Sequence, residues 1–198
     1  MRHRLALALA LALAGLPLAA QDITGGLQTG LSLPVGDLKD KSGLGTNQFF
    51  GAHIGGHLDF NITPHHQVRA QLTYHNLPGS GWGGFVDAQN DYTLLQVGAD
   101  WVYNFQSPNQ GWYTIAGATV NSIKDEWEFT TGSGVRMSGS SSQSGRFGVR
   151  GGGGYTFNRM FSLEGTLNQA FVDKNGSDGF GFDTATWVQV SAVFRFGR

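Results

Sequence analysis

The sequence predicts an all-β chain, an eight-stranded antiparallel up-and-down transmembrane β-barrel. Three observations carry that expectation. Apolar and polar residues alternate with period two over eight separate stretches, the mark of strands with two unlike faces. The segments between those stretches run long, short, long, short, long, short, long. The last stretch, Thr184–Phe196, sets Val188, Val190, Ala192, Phe194 and Phe196 against Gln189, Ser191 and Arg195, with only Val193 blurring the polar face. A long terminal strand with an apolar face is an exposed edge unless it is paired on both sides, and closing a barrel removes the edge.

The first twenty residues read as a leader rather than as part of the barrel. Arg2, His3 and Arg4 form a basic region, Leu5 to Leu16 is an unbroken Leu/Ala/Gly run, and Pro17 with Leu18-Ala19-Ala20 offers a cleavage site. The run is shorter than the ~20 residues of a spanning helix. Residues 1–20 are therefore expected to be a signal peptide and 21–198 the barrel domain. Removing Arg2 and Arg4 leaves eleven basic against fourteen acidic residues, a net charge of −3. No basic cluster is present, which argues against nucleic acid as a partner. The absence of cysteine in an exported chain puts its stability on a core, a closed sheet or a membrane. The mean hydropathy of −0.18 is low, as expected of a barrel that shows lipid only alternate residues.

Taken in order, Ile23–Leu33 places Ile23, Leu27, Leu31 and Leu33 opposite Gln28 and Ser32, and Pro34 to Gln48 reads as a loop. Phe50–Ile62 sets Phe50, Ala52, Ile54, Leu58, Phe60 and Ile62 against His53, His57, Asp59 and Asn61. After a tight turn, Val68–Asn76 alternates Val68, Ala70, Leu72 and Tyr74 with Arg69, Gln71, Thr73 and His75. Leu77–Asp91, with Pro78 and four glycines, reads as a longer loop. Tyr92–Phe105 sets Leu95, Val97, Ala99, Trp101, Tyr103 and Phe105 against Gln96, Asp100 and Asn104. Trp112–Ile123 is a strand whose facing stays open, because both alternating sets are small or apolar. Lys124–Ser144, ending in a Ser/Gly run, reads as the longest loop. Gly145–Phe157 sets Phe147, Val149, Tyr155 and Phe157 against Arg146, Arg150 and Thr156; Phe161–Phe171 sets Phe161, Leu163 and Leu167 against Glu164, Thr166 and Asn168. Val172–Asp183 is a loop before the closing strand.

The alternation of connections puts every long loop at one rim and every tight turn at the other, with both termini on the turn side. Strands of about ten to thirteen residues suit the ~9–11 tilted residues that cross hydrocarbon. The leader, the eight strands, the loop pattern and the aromatic-ended last strand resemble the small eight-stranded outer-membrane barrels of the OmpA/OmpX type, over essentially the whole mature chain. The resemblance implies the fold, an outer-membrane location reached through a cleaved signal peptide, outer-membrane lipid as the surroundings and a monomer. It also implies recognition of the closing-strand aromatics Phe194 and Phe196 by the barrel-assembly machinery during insertion. In that family the aromatic is commonly the last residue; here Gly197 and Arg198 follow.

Aromatic residues fall at two levels, as girdles at two membrane interfaces would. Phe60, Tyr103, Phe105, Trp112, Tyr113, Tyr155, Phe157, Phe161, Phe194 and Phe196 lie toward the turn side; Tyr74, Tyr92, Phe147, Phe171 and Trp187 lie toward the loops. A soluble lipocalin-like barrel would point apolar residues inward instead. The polar face argues against it, carrying far fewer charges than the ~25–35 % usual on a water-facing surface.

With the polar face inside, the lumen receives Asp59, Asp100 and Glu164 with Arg69, Arg146, Arg150 and Arg195. These are expected to pair as a structural plug, Arg69 with Asp59 across the tight turn and Arg195 near the level of Glu164. A narrow gated ion path through those pairs is the sharper alternative. His53 and His57, four residues apart on one strand, are about 13 Å apart at ~3.3 Å per residue, too far for one metal without a neighbour such as His75. No metal, cofactor or catalytic residue is therefore assigned. A lipid-modifying enzyme, an activity known among small outer-membrane barrels, needs a Ser–His–acid set. No G-x-S-x-G elbow is present and no strand histidine has a serine two residues along on its own face. The loop aromatics Trp82, Phe85, Trp127, Phe129, Phe180 and Phe182 read as interfacial, and Asp125, Glu126 and Glu128 beside Lys124 as a solvated loop. The function expected is a structural or surface-interaction role.

Overall fold

The computed structural model describes residues 23–40, 47–48, 50–83, 86–174 and 181–196. The expected signal peptide, Phe85, Phe180, Gly197 and Arg198 lie outside them. Among the described residues, ten strands and one short helix follow in order: β1 (Ile23–Val35), α1 (Asp37–Asp40), β2 (Asn47–Gln48), β3 (Gly51–Asn61), β4 (His66–Leu77), β5 (Gly79–Gly83), β6 (Val86–Asn104), β7 (Gly111–Thr131), β8 (Arg136–Asn158), β9 (Phe161–Phe171) and β10 (Thr184–Phe196). Eight of them form a closed antiparallel ring, β1-β3-β4-β6-β7-β8-β9-β10 and back to β1. β10 closes it, paired with β9 from Thr184↔Phe171 to Phe194↔Phe161 and with β1 from Gly25↔Phe196 to Val35↔Thr186. The edge implied by its alternation is absent.

The wall turns its apolar residues outward. Leu27, Leu31, Ile54, Leu72, Val97, Leu167 and Val190 are each about half exposed, while their polar neighbours Gln28, Ser32, Thr73, Gln96, Asn168 and Gln189 are fully buried. Exposure of that much apolar surface is stable only where the surroundings are lipid. On the turn side the outward rings touch in sequence across four strands: Trp112 to Tyr155 at 5.1 Å, Tyr155 to Phe157 at 5.0 Å, Phe157 to Phe161 at 5.6 Å and Phe161 to Phe194 at 5.4 Å. On the loop side Phe147 stacks on Phe171 at 6.2 Å. β7 also takes a definite facing: Trp112 and Val120 point out, Tyr113, Ile115, Thr119, Asn121 and Ile123 point in.

Several stretches expected as loops are ordered. β6, β7 and β8 run on past the wall, so the Leu77–Asp91 and Lys124–Ser144 segments are mostly strand. β5 pairs with the start of β6, and β7 pairs with β8 from Ile123↔Gln143 up to Thr130↔Arg136. The Ser/Gly run is a strand held by backbone pairing, which small polar side chains do not announce. The register shifts between Asn121 and Ile123, close to Gly145 at φ +70°. Only glycine adopts that conformation at little cost, and such a bulge bends the strand away from its neighbour. There β8 parts from β9, whose pairing begins at Gly148↔Ala170. In the first connection, Pro34 and Val35 extend β1 and α1 follows; Leu38 is fully buried.

The interior has a division the sequence did not announce. Its turn-side half is charged and its middle is amide-rich. At the loop-side mouth an apolar cluster joins Leu77, Tyr92, Leu94, Ile123 and Trp187 from the wall to Leu38 of α1 and Phe182 of the β9–β10 connection. Tyr92, Trp187 and Tyr113 thus belong to the interior, at 2 %, 0 % and 1 % exposure, and not to the girdles. Phe182 is likewise buried rather than interfacial.

Candidate functional site in the barrel interior

The alternation that puts Leu and Phe against lipid carries six charged side chains into the lumen. Asp59 lies on β3, Arg69 on β4, Asp100 on β6, Arg150 on β8, Glu164 on β9 and Arg195 on β10, all at most 6 % exposed. Register fixes their level, since Asp59 faces Arg69 and Arg69 faces Asp100 across the ladders. Arg69 donates from Nε to Asp59 at 2.7 Å and from Nη1 to Glu164 at 2.6 Å, spanning the barrel between β4 and β9. Arg150 Nη2 donates to the other Glu164 oxygen at 2.9 Å. Arg195 Nε donates to Asp59 at 3.2 Å, and its Nη1 reaches Ser162 at 2.5 Å and Thr156 at 3.4 Å. Asp100 is held by charge, 3.7 Å from Arg150 Nε. Three carboxylates meet three guanidiniums, so the layer is neutral, the condition under which buried charge is tolerable.

Two expected placements change. Arg195 does not meet Glu164; it reaches round the ring to Asp59, because β10 sets Ser191, not Arg195, opposite Glu164. Arg146 is outside the network: it sits at the loop-side rim, its side chain a third exposed, 3.8 Å from Asp173. The bulge that starts the hairpin lies beside it. Tyr113 enters the network instead. Its hydroxyl donates to Glu164 at 3.2 Å and its ring lies 5.8 Å below the Arg195 guanidinium. The signal was in the sequence, since Tyr113 shares parity with Thr119 and Asn121. Gly117 completes the layer by omission. A Cβ there would lie 1.9 Å from Asp100 Oδ1.

Above the charges the middle layer is built of amides and hydroxyls. Gln28 Nε2 donates to Thr73 at 2.7 Å and Gln96 Nε2 to Asn121 at 3.2 Å. Ser32 sits between two histidines, 3.2 Å from His53 Nδ1 and 2.8 Å from His75 Nδ1, and Ser191 lies 2.9 Å from His53 Nε2. These pairs form between strands, so the serines do not lie two residues along on a histidine's own face. The carboxylates lie in the layer below, where Asp59 is 3.8 Å from His57 Nε2. Among the described residues no group of three or more His, Cys, Asp or Glu is placed to hold a metal ion.

A closed eight-stranded barrel with an apolar wall and a polar, charge-balanced lumen defines the class: a small membrane β-barrel of the outer-membrane kind. No protein-family model and no curated protein matches the sequence. Among solved structures, the chain is similar to Ail, the attachment invasion locus protein of Yersinia pestis, at 15 % identity and a TM-score of 0.49, covering 89 % of this chain and 97 % of that one. It is similar to Neisserial surface protein A at 14 % identity with the same coverages and TM-score. The N-terminal β-barrel domain of Pseudomonas aeruginosa OprF aligns at 14 % identity and a TM-score of 0.43, over 89 % of this chain and 98 % of that domain.

Proposed function

We propose that the protein is an integral outer-membrane barrel with a structural or surface-interaction role, with a closed lumen and no catalytic activity. One observation supports this above the others: the lumen is obstructed at two levels by different chemistry. The turn-side half is crossed by the ion pair Arg69–Glu164 and filled beside it by Arg195–Asp59. The loop-side mouth is stopped by buried apolar side chains. A continuous ion path would have to break both.

The surface-interaction part of the reading draws on the extended hairpins. β5–β6 and β7–β8 carry the sheet beyond the wall, with Val135 and Met137 about half exposed near the β7–β8 tip. In this reading the wall contacts outer-membrane lipid as a monomer, and the assembly machinery reads β10 through Phe194 and Phe196.

The test takes the protein from membranes and reads three things. Migration on a gel should be heat-modifiable, planar-bilayer conductance should stay near zero, and incubation with lipid A should leave its acyl chains unchanged by mass spectrometry. Recovery as a soluble periplasmic protein refutes the membrane reading. Steady channel openings refute the closed lumen, and any change in acyl chains refutes the absence of catalysis.

A further inference from the structure

The apolar mouth is costly to explain as wall or as charge plug. A barrel in lipid already has its apolar surface outside, yet β4, β6, β7 and β10 also turn Leu77, Leu94, Ile123 and Trp187 inward at one level. Together they form a cup. Its contents come from outside the wall: Leu38, on a helix of four residues, and Phe182, on the β9–β10 connection. At its floor two polar atoms have no partner. Trp187 Nε1 and His75 Nε2 are both unbonded, although each side chain is fully buried and the two rings meet edge to face at 5.5 Å. A buried indole N–H ordinarily finds an acceptor. Ser32 occupies the other nitrogen of His75, which leaves Nε2 as the atom facing away from that bond.

We propose that the loop-side mouth is a binding site for a small, neutral amphipathic molecule, occupied in this structure by the chain's own Leu38 and Phe182. The apolar body of the ligand replaces those two side chains against Leu94, Ile123 and Trp187. Its single hydrogen-bonding group, a hydroxyl or carbonyl, meets the Trp187 N–H or His75 Nε2. A charged ligand is disfavoured, because Leu94, Ile123 and Trp187 would surround the ion with apolar groups and burial of an unpaired ion is expensive. The site is a pocket and not a passage, since the ion-paired layer remains below it.

The absence of cysteine from the chain allows a direct test. Leu38→Cys and Phe182→Cys are refolded separately into lipid nanodiscs, heat-modifiable migration confirming the barrel, and labelled with a maleimide with and without 1-naphthol. The thiols should be protected alone, and 1-naphthol should raise their labelling rates in a saturable way. Ser142→Cys, on the exposed hairpin, reports any general effect of the probe on the reagent or the bilayer, and its rate should not change. Trp187→Phe keeps an aromatic side chain, though a smaller one, and removes the N–H. Placed behind either thiol, it should weaken the effect of 1-naphthol relative to that of naphthalene about threefold to tenfold, the range of one neutral hydrogen bond; naphthalene reports the change in ring size. Labelling of both thiols that is indifferent to 1-naphthol overturns the site. Equal action of naphthalene and 1-naphthol, with no change in Trp187→Phe, overturns the amphipathic ligand. Failure of heat-modifiable migration would instead count against the barrel reading, which keeps the two failures distinct.

Discussion

Replacing Glu164 by glutamine tests the charge layer where it is most concentrated. Glu164 accepts from Arg69 at 2.6 Å, Arg150 at 2.9 Å and Tyr113 at 3.2 Å, and it is almost fully buried. The substitution keeps shape and volume but leaves two carboxylates facing three guanidiniums. It also turns an amide NH₂ toward donors. Removing one partner of a buried pair costs about 3–5 kcal/mol, most of it from the charge left behind. Glu164→Gln should therefore destabilise the barrel by about that amount. Arg69→Met separates the charge effect from simple damage. Alone it leaves three carboxylates with two guanidiniums. Combined with Glu164→Gln it leaves Asp59 with Arg195 and Asp100 with Arg150, a balanced layer again. The double variant should then be more stable than the two single costs predict, by roughly 0.5–3 kcal/mol. Urea titration in lipid vesicles, read by heat-modifiable mobility, measures each value, and an unchanged slope confirms that stability and not compactness has moved. A cost below about 1 kcal/mol for Glu164→Gln, or strict additivity in the double variant, refutes the argument that charge balance holds this layer.

Three further outcomes are expected. Gly117→Ala should destabilise the folded barrel in the same titration, since its Cβ would fall 1.9 Å from Asp100 Oδ1 and 2.8 Å from the Ala99 carbonyl oxygen; wild-type stability would show that the Asp100 side chain has room to leave. Gln143→Ala should loosen the β9–β10 connection, because the Gln143 amide both donates to and accepts from the Asp173 backbone at 2.8 Å; amide exchange at Asp173 should quicken while that of β9 does not. Asp125, half-buried on the β7–β8 hairpin rather than solvated, has its carboxyl pushed up to about 6 by burial. The folded hairpin therefore binds this proton more tightly than the unfolded one, so protection of its amides should fall as pH rises from about 4 through 6. Asp125→Asn should remove that dependence, and an identical pH profile in the variant would exclude Asp125 as its source.

Most of the wall was legible because period two is a backbone property. Wherever one alternating set was plainly polar, as in β3 and β4, facing and register followed. Legibility ended where both sets were small, as in β7, and where pairing left no side-chain signature, as in the Ser/Gly arm of β8. The interior charges were legible as residues but not as pairs. Sequence places Glu164 and Arg195 near one level; only the register of the closed ring shows that Ser191 stands opposite Glu164, that Arg195 reaches across β1 to Asp59, and that Arg69 spans the lumen to Glu164. Level alone sends Tyr92, Trp187 and Tyr113 to the girdles. Each shares parity with polar neighbours, Gln96 and Asp100, Gln189 and Ser191, Thr119 and Asn121, and that parity carried them inward.

These three aromatics also explain why one barrel combines two kinds of interior. At the turn side, short connections leave no segment to fold into the lumen, so the space must be filled by wall side chains. Charges reach farthest across it, and Tyr113 bridges two of them from one strand. At the loop side, long connections can supply Leu38 and Phe182 from outside the wall. Burying apolar groups there needs no balancing partner, at a gain of about 1.5–3 kcal/mol for each large side chain. The polar middle insulates the two. Ser32, His53 and His75 face the apolar mouth with Trp187 above them and the ion pairs beneath. A change at the mouth, such as loss of Phe182, should consequently leave the Glu164 pairs intact, whereas loss of Glu164 reaches Tyr113 and, through its ring, Arg195.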